Sequence, residues 1–409
     1  MEQDPASTRP VAVARRRLSL VLCAAVMLLD GYDLTAMPLA VPHLVKAYGH
    51  APQSFGFALS AVLLGLGLGA VGLAPLGDRF GRRRVILAAL PVLALATFGT
   101  ATGRTVEAFT LWRLLTGLAL GACLPNVTAL SAELALPGRR ASTMSLVSIA
   151  IPLGAAGAGL VVTPLVKWAG WQAIFAFPGG VTLVLAALLF LFLSESPALL
   201  TGPDKRPGKA ALRGLLERPV IYATALVCAL YGLNAGVLYY VNSWVPTVLS
   251  SAGFTPETAA HAVSLLQFGG MAIGLALARM LDGGRVAGVI VGSYIVIAVA
   301  LLGFGLIAPQ RLGWGLLLLV AGGGISGVHT AILAMTSGLF PPRLLSSAIG
   351  LAVAVARIGA IGGPLLGAAV LGQGFGAAAF FALAAAPVAL CLGLALMLPT
   401  VRRASLQGQ

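Results

Sequence analysis

Charge is scarce in this chain: only 9% of its 409 residues are Asp, Glu, Lys or Arg. A soluble domain carries about 25%, so an ordinary globular enzyme does not fit. Acidic residues are fewest, 12 against 26 basic ones. The four cysteines (Cys23, Cys123, Cys228 and Cys391) all sit in apolar runs, which supports neither a disulfide framework nor a metal site. The Gly65, Gly67, Gly69 run mimics a dinucleotide loop, but no strand precedes it and it reads as helix packing. Long hydrophilic stretches are missing too. After the N-terminus the longest is 195–218, roughly two dozen residues without a His or Cys cluster. It leaves no room for a catalytic or signalling module, so the chain is not read as an enzyme and needs no cofactor.

Hydrophobic residues make up 59% of the chain. One bilayer-spanning helix needs roughly 20 apolar residues, and twelve need about 240, close to the number present. Gly 52 and Pro 24 are too many for the alternating strands of a β-barrel, and suit helices that pack closely and bend. Apolar segments fall near 18–44, 54–76, 85–102, 108–132, 141–166, 172–194, 219–248, 258–281, 286–307, 312–338, 345–371 and 375–399. They predict an all-α integral membrane protein with twelve transmembrane helices. The first apolar run holds two aspartates and no small-residue cleavage site, which makes it a retained span rather than a signal peptide.

The net charge of +14 would suggest nucleic acid in a soluble protein. Here position decides. Twelve spans put both termini on one side, and that side's segments carry twenty basic residues against four, Lys46, Arg104, Lys167 and Arg311, on the other. The positive-inside rule then sets both termini in the cytoplasm. The charge is a topology signal with a minor role in holding anionic lipid headgroups, and no nucleic-acid partner is expected. The expected organisation is a cytoplasmic tail 1–17, a six-helix bundle 18–194, a cytoplasmic linker 195–218, a second six-helix bundle 219–399 and a tail 400–409. A repeat supports the division: Asp78 precedes Arg139, and Asp282 precedes Arg343, by the same 61 residues. Parallel six-span repeats are a known transporter plan.

Between spans 2 and 3 stands LGDRFGRRRV, residues 76–85. Asp–Arg pairs in so short a loop can tie two helix ends while Gly81 permits the turn. The pattern resembles the cytoplasmic loop signature of the major facilitator superfamily, matched at Asp78, Arg79, Gly81, Arg82 and Arg83. Ala74 replaces the family's leading glycine and Gly77 its usual alanine. By the same resemblance, Glu133 with Arg139 or Arg140 completes a charge network that latches the cytoplasmic side, with Asp282 and Arg343 in a worn second copy. Span 4 resembles the superfamily's Arg-x-x-x-Gly pattern at Arg113, Gly117 and Gly121. An arginine within a span costs ~3 kcal/mol on insertion scales. It should face a cavity or a partner, unless it snorkels to the surface.

Asp30 and Asp33 are the only carboxylates well inside any span, and their i, i+3 spacing puts them on one helical face. Two such groups in low dielectric read either as a proton site or as a pair locked to an arginine. Span 11 adds the other buried charge, Arg357. Together these pieces resemble, over essentially the whole chain, the aromatic acid:proton symporter family. The specific matches are Asp30-Gly31-Tyr32-Asp33, the loop signature, and Arg357 with Gly359, Gly363, Pro364 and Gly367. The Leu124-Pro125-Asn126 stretch and the Arg357 helix look most like carriers of hydroxyphenylpropionate-type acids, although Ala356 stands where the family usually has Gly.

The resemblance implies a monomeric, multi-pass transporter of the bacterial inner membrane, using the proton gradient to import a small aromatic carboxylate. Arg357, with Arg113, is the expected carboxylate site, and Asp30 and Asp33 the proton-coupling groups. A repeat shift of 204 residues sets Asn234 opposite Asp30. Tyr32, Asn234 and His329 are further candidates to line the substrate site, with interfacial or packing roles as the other reading. Tyr231, Tyr239, Tyr240, Asn242, Trp244 and Gln267 are weaker ones. Transport of another monocarboxylate or sugar acid, or proton-driven drug export, are the competing functions. Span 5 lacks the full Gly-x-x-x-Gly-Pro pattern of the exporters.

Overall fold

The computed structural model describes residues 5–136, 138–194, 213–218, 220–283, 286–336 and 338–407, without the side chains of 5–14, 141, 282, 342, 343, 402 and 404–407. Most of the linker, 195–212, thus lies outside the described residues, as do Arg285 and the side chains of Asp282 and Arg343. Every regular element among the described residues is helical. Among the described residues, twelve helices are long and apolar enough to cross a membrane: Arg15–Tyr48, Pro52–Gly72, Arg82–Thr102, Val106–Glu133, Ser142–Ala169, Ala173–Phe192, Val220–Ser251, Pro256–Leu281, Val286–Gly303, Arg311–Thr336, Leu344–Gly372 and Ala377–Val401. Each overlaps the corresponding predicted span. The reason is general: hydrocarbon offers no hydrogen bonds, so a helix must satisfy its own backbone.

The differences lie at the ends. The helix of span 1 begins at Pro5 and runs unbroken to Tyr48, so the arginine-rich approach continues the span. Span 2 stops at Gly72, and a short helix Leu76–Phe80 follows. Gly81 sits at φ 97°, a left-handed backbone that glycine adopts freely. Threonine hydroxyls cap two helices: Thr105 accepts from the Ala108 N–H and Thr255 from that of Thr258, both at 3.2 Å.

Contacts divide the chain into two compact units, residues 1–40 with 61–204, and residues 41–60 with 205–409. Within each unit the same helix pairs meet through glycine. In the first, Gly31 lies against the Ile151 carbonyl and Gly154 against that of Leu28 (spans 1 and 5), while Gly65 and Gly69 face span 4 and Gly117 and Gly121 face span 2. In the second, Gly359 and Gly363 meet the carbonyls of Gly232 and Gly236 (spans 7 and 11), and Gly269 and Gly270 meet Gly323 (spans 8 and 10). Leu28 moved by the 204-residue shift is Gly232, and Gly154 moved likewise falls one residue from Gly359. The repeat read from two charge spacings therefore recurs in backbone packing. Where tails and side chains are equally apolar, such close approach is what holds membrane helices together.

Candidate functional site

Charged groups of the signature loop form ion pairs within the first unit. Arg82 reaches Glu133 at 2.7 Å and Asp78 at 3.9 Å, so one guanidinium ties the signature loop to the end of span 4. Arg83 donates to the Phe190 carbonyl at 2.6 Å and lies over that ring, while Arg79 lies over Phe80. Arg16, which sequence reasoning did not single out, donates to the Leu134 carbonyl. Arg139 is exposed and enters no ion pair among the described residues, so the partner found for Glu133 is Arg82. Gly77 has a local reason. A Cβ there would collide with the Asn126 amide, whose Nδ2 donates to the carbonyls of Ala74 at 3.0 Å and Ala122 at 2.8 Å.

The intramembrane charges of span 1 are buried. Asp33 is 4% exposed and Arg113 0%, and the two form an ion pair. Nη1 of Arg113 donates to Oδ1 at 3.0 Å and lies 2.9 Å from Oδ2, while Nη2 donates to the Asp33 backbone carbonyl at 2.8 Å. Arg113 therefore does not snorkel. The pair is incompletely satisfied: Arg113 Nε makes no hydrogen bond among the described residues, which costs free energy in low dielectric. Asp30, buried at 2% exposure, sits one turn before Asp33. The Tyr32 hydroxyl donates to the Ile174 carbonyl at 3.1 Å, so it fastens span 1 to span 6.

A second polar cluster lies in the second unit. Asn234 is buried, and its Nδ2 faces His329 Nδ1 at 3.1 Å and the Ile325 carbonyl at 3.3 Å. The Tyr294 hydroxyl donates to Asn234 Oδ1 at 3.0 Å. Tyr231 stacks on the His329 ring, centroids 4.2 Å apart. Gly232, next to Tyr231, packs on Val355, two residues before Arg357, and no ion pair joins Arg357 to a carboxylate among the described residues. Tyr294 escaped the sequence reading. The signal for it was available, because a tyrosine deep in an apolar span must find a partner for its hydroxyl. Two weaker candidates are structural: Tyr240 donates to the Phe380 carbonyl and Trp244 Nε1 to that of Pro364, both at 2.9 Å.

A cavity of about 570 Å³ opens between spans 7, 11 and 12 of the second unit, lined by groups such as Leu233, Val355, Leu366, Leu383 and Pro387. Ile358 and Leu366 at its rim are 71% and 63% exposed. Such an apolar groove offers a carboxylate no charged partner. The polar cluster of Asn234 and His329 does not line it. No group of three or more His, Cys, Asp or Glu able to hold a metal occurs among the described residues.

Residues 22–329 match the model of the Major Facilitator Superfamily. The chain is 33% identical to the 3-(3-hydroxy-phenyl)propionate transporter of Escherichia coli K12, over 98% of each. It is 30% identical to the gallate transporter of Pseudomonas putida, over 94% of this chain and 92% of the other. It is also 30% identical to a 4-hydroxybenzoate transporter of Pseudomonas aeruginosa, over 90% and 89%. Among solved structures, a bacterial homologue of the human lysosomal transporter Spinster superposes with a TM-score of 0.77 at 15% identity, over 96% of this chain and 98% of that one. A D-xylose-proton symporter does so with 0.72 at 18%, over 90% and 96%. At that identity the structural likeness speaks for the fold alone.

Proposed function

The chain belongs to the Major Facilitator Superfamily and is a multi-pass transporter rather than an enzyme, and on that premise we propose that it imports a small aromatic carboxylate together with protons. The observation that supports the substrate class is the similarity, at 30–33% identity over most of each chain, to three carriers named for hydroxylated aromatic acids. The charges supply a mechanism. Arg357 has a guanidinium without an acidic partner among the described residues, and its planar fork matches a carboxylate bidentately. Asp33 is held by Arg113 at 2.9 Å. A proton taken up by Asp33 cancels that attraction and loosens the pair. Substrate on Arg357 and proton on Asp33 or Asp30 are then two ligands of one alternating-access cycle, each favouring the other through linkage.

In this reading both termini are cytoplasmic, the membrane is the bacterial inner membrane, and a single copy suffices. The test is uptake of labelled hydroxylated aromatic acids into proteoliposomes, with and without an imposed pH gradient. Accumulation should require the acid side outside. Asp33→Asn should abolish accumulation against a gradient while downhill exchange survives. If that variant still concentrates substrate, Asp33 is not the coupling group. Arg357→Lys should weaken binding despite its unchanged charge, and wild-type affinity there removes Arg357 from the site.

A further inference from the structure

The hydrogen bonds around Asn234 determine which nitrogen of His329 carries the proton. The Ile325 carbonyl can only accept, so the side of the Asn234 amide facing it, 3.3 Å away, must be the NH2 group. The same Nδ2 lies 3.1 Å from His329 Nδ1. A group that donates in both directions requires Nδ1 to accept, which leaves the imidazole neutral with its proton on Nε2. Tyr294 locks the arrangement from the opposite side by donating to Asn234 Oδ1 at 3.0 Å. Tyr231, stacked 15° from parallel, holds the plane of the ring.

Nε2–H is thereby presented as a donor, and it has no hydrogen-bond partner among the described residues. His329 is half-buried. A donor turned toward hydrocarbon would go unsatisfied at a cost of several kcal/mol, so this edge of the ring belongs to a wet or ligand-filled space. Arg357 lies on the adjoining span 11, whose Val355 packs against Gly232, the chain neighbour of Tyr231.

We infer that His329 is the specificity-determining residue for a ring hydroxyl: its Nε2–H donates to the phenolic oxygen of a hydroxylated aromatic acid whose carboxylate is on Arg357. Asn234 and Tyr294 are positioning residues that hold the required tautomer. The inference rests on the aromatic-acid reading above and narrows it to hydroxylated over unsubstituted acids. A packing histidine would need neither the ordered amide nor the open edge.

The test uses the purified full chain in proteoliposomes and two matched pairs, 3-(3-hydroxyphenyl)propionate with 3-phenylpropionate, and 4-hydroxybenzoate with benzoate. In the wild type at least one hydroxylated member should bind better, by roughly tenfold, the worth of one hydrogen bond between neutral groups. His329→Leu should erase that ratio by weakening the hydroxylated member alone. His329→Gln, whose amide can donate from about the Nε2 position, should restore most of it. Tyr294→Phe should lower the ratio in the same direction, and Arg357→Lys should weaken both members equally. Nitrogen-15 spectra of labelled histidine, compared between wild type and His329→Gln, should show a neutral Nε2–H tautomer even if the leucine variant fails to fold. An unchanged ratio in His329→Leu, an equal loss of both members, or an Nδ1–H tautomer overturns the inference alone. Failure of the wild type to bind any of the four acids overturns the aromatic-acid reading, and this inference with it.

Discussion

Arg113 and Asp33 form an ion pair whose members are 0% and 4% exposed, and removing one partner should cost far more than removing both. At the 2.9 Å separation of Nη1 and Oδ2, an effective dielectric near 20 gives an attraction of about 6 kcal/mol. Desolvation of the two ions offsets most of that, so the pair as a whole contributes little net stability. Breaking it is another matter. Arg113→Met leaves Asp33 charged and uncompensated, and Asp33→Asn does the same to Arg113, each at about 3–5 kcal/mol. The double variant buries no charge and should recover much of the loss, with a coupling energy of at least ~2 kcal/mol. The assay is equilibrium unfolding of the four proteins by SDS titration in mixed micelles, with intrinsic fluorescence and a monodisperse size-exclusion peak as controls. Additive losses, leaving the double variant less stable than either single one, would refute the reasoning. The three contacts from Arg113 would then be geometry without consequence. The cycle also bears on transport, because an unpaired Arg113 in Asp33→Asn mimics the protonated state and should shift the balance between the forms of the cycle.

Two backbone contacts give further tests. Gly77→Ala sets a Cβ against the Asn126 amide, and overpacking of this kind costs about 1–3 kcal/mol. Thermal unfolding should show the loss in Gly77→Ala and a smaller penalty when Asn126→Ala is already present. Gly363→Ala drives a methyl into the Gly236 carbonyl and the Tyr240 amide of span 7, whereas Gly362 next to it has open space. The first substitution should sharply reduce the yield of folded protein and the second should be silent in a fluorescence-detected size-exclusion profile. Equal behaviour of the two would contradict the observed packing of spans 7 and 11.

Some of the site could be read in advance. Asp33 and Arg113 stood out because a charge inside an apolar run is costly and needs a reason, although nothing in a linear sequence says that residues 80 positions apart are partners. Glu133 stood out with Arg139 or Arg140 as its expected partner, but which arginine reaches it depends on where the helix ends fall, and Arg82 took that place. Gly77 looked like a departure from a family pattern until the Asn126 amide was found in the space of its missing side chain. Tyr294 was overlooked because one hydroxyl among apolar residues barely alters a hydropathy average. Only folding shows that it braces Asn234.

The amino-acid sequence by itself determined the class of molecule, the number of crossings and their approximate ends. All three follow from one solvent rule: in hydrocarbon a backbone must bond to itself, and 9% charge leaves few places where the chain can meet water. It also singled out the charges that break the rule. The tertiary structure alone decided how those charges are used. Arg113 belongs to Asp33, Arg82 to Glu133 and Asp78, and Asn234 to both His329 and Tyr294. Hydrogen bonds and ion pairs form over about 3 Å, and such distances between helices are set by which backbones can touch, here at glycines distributed along the helices of both units.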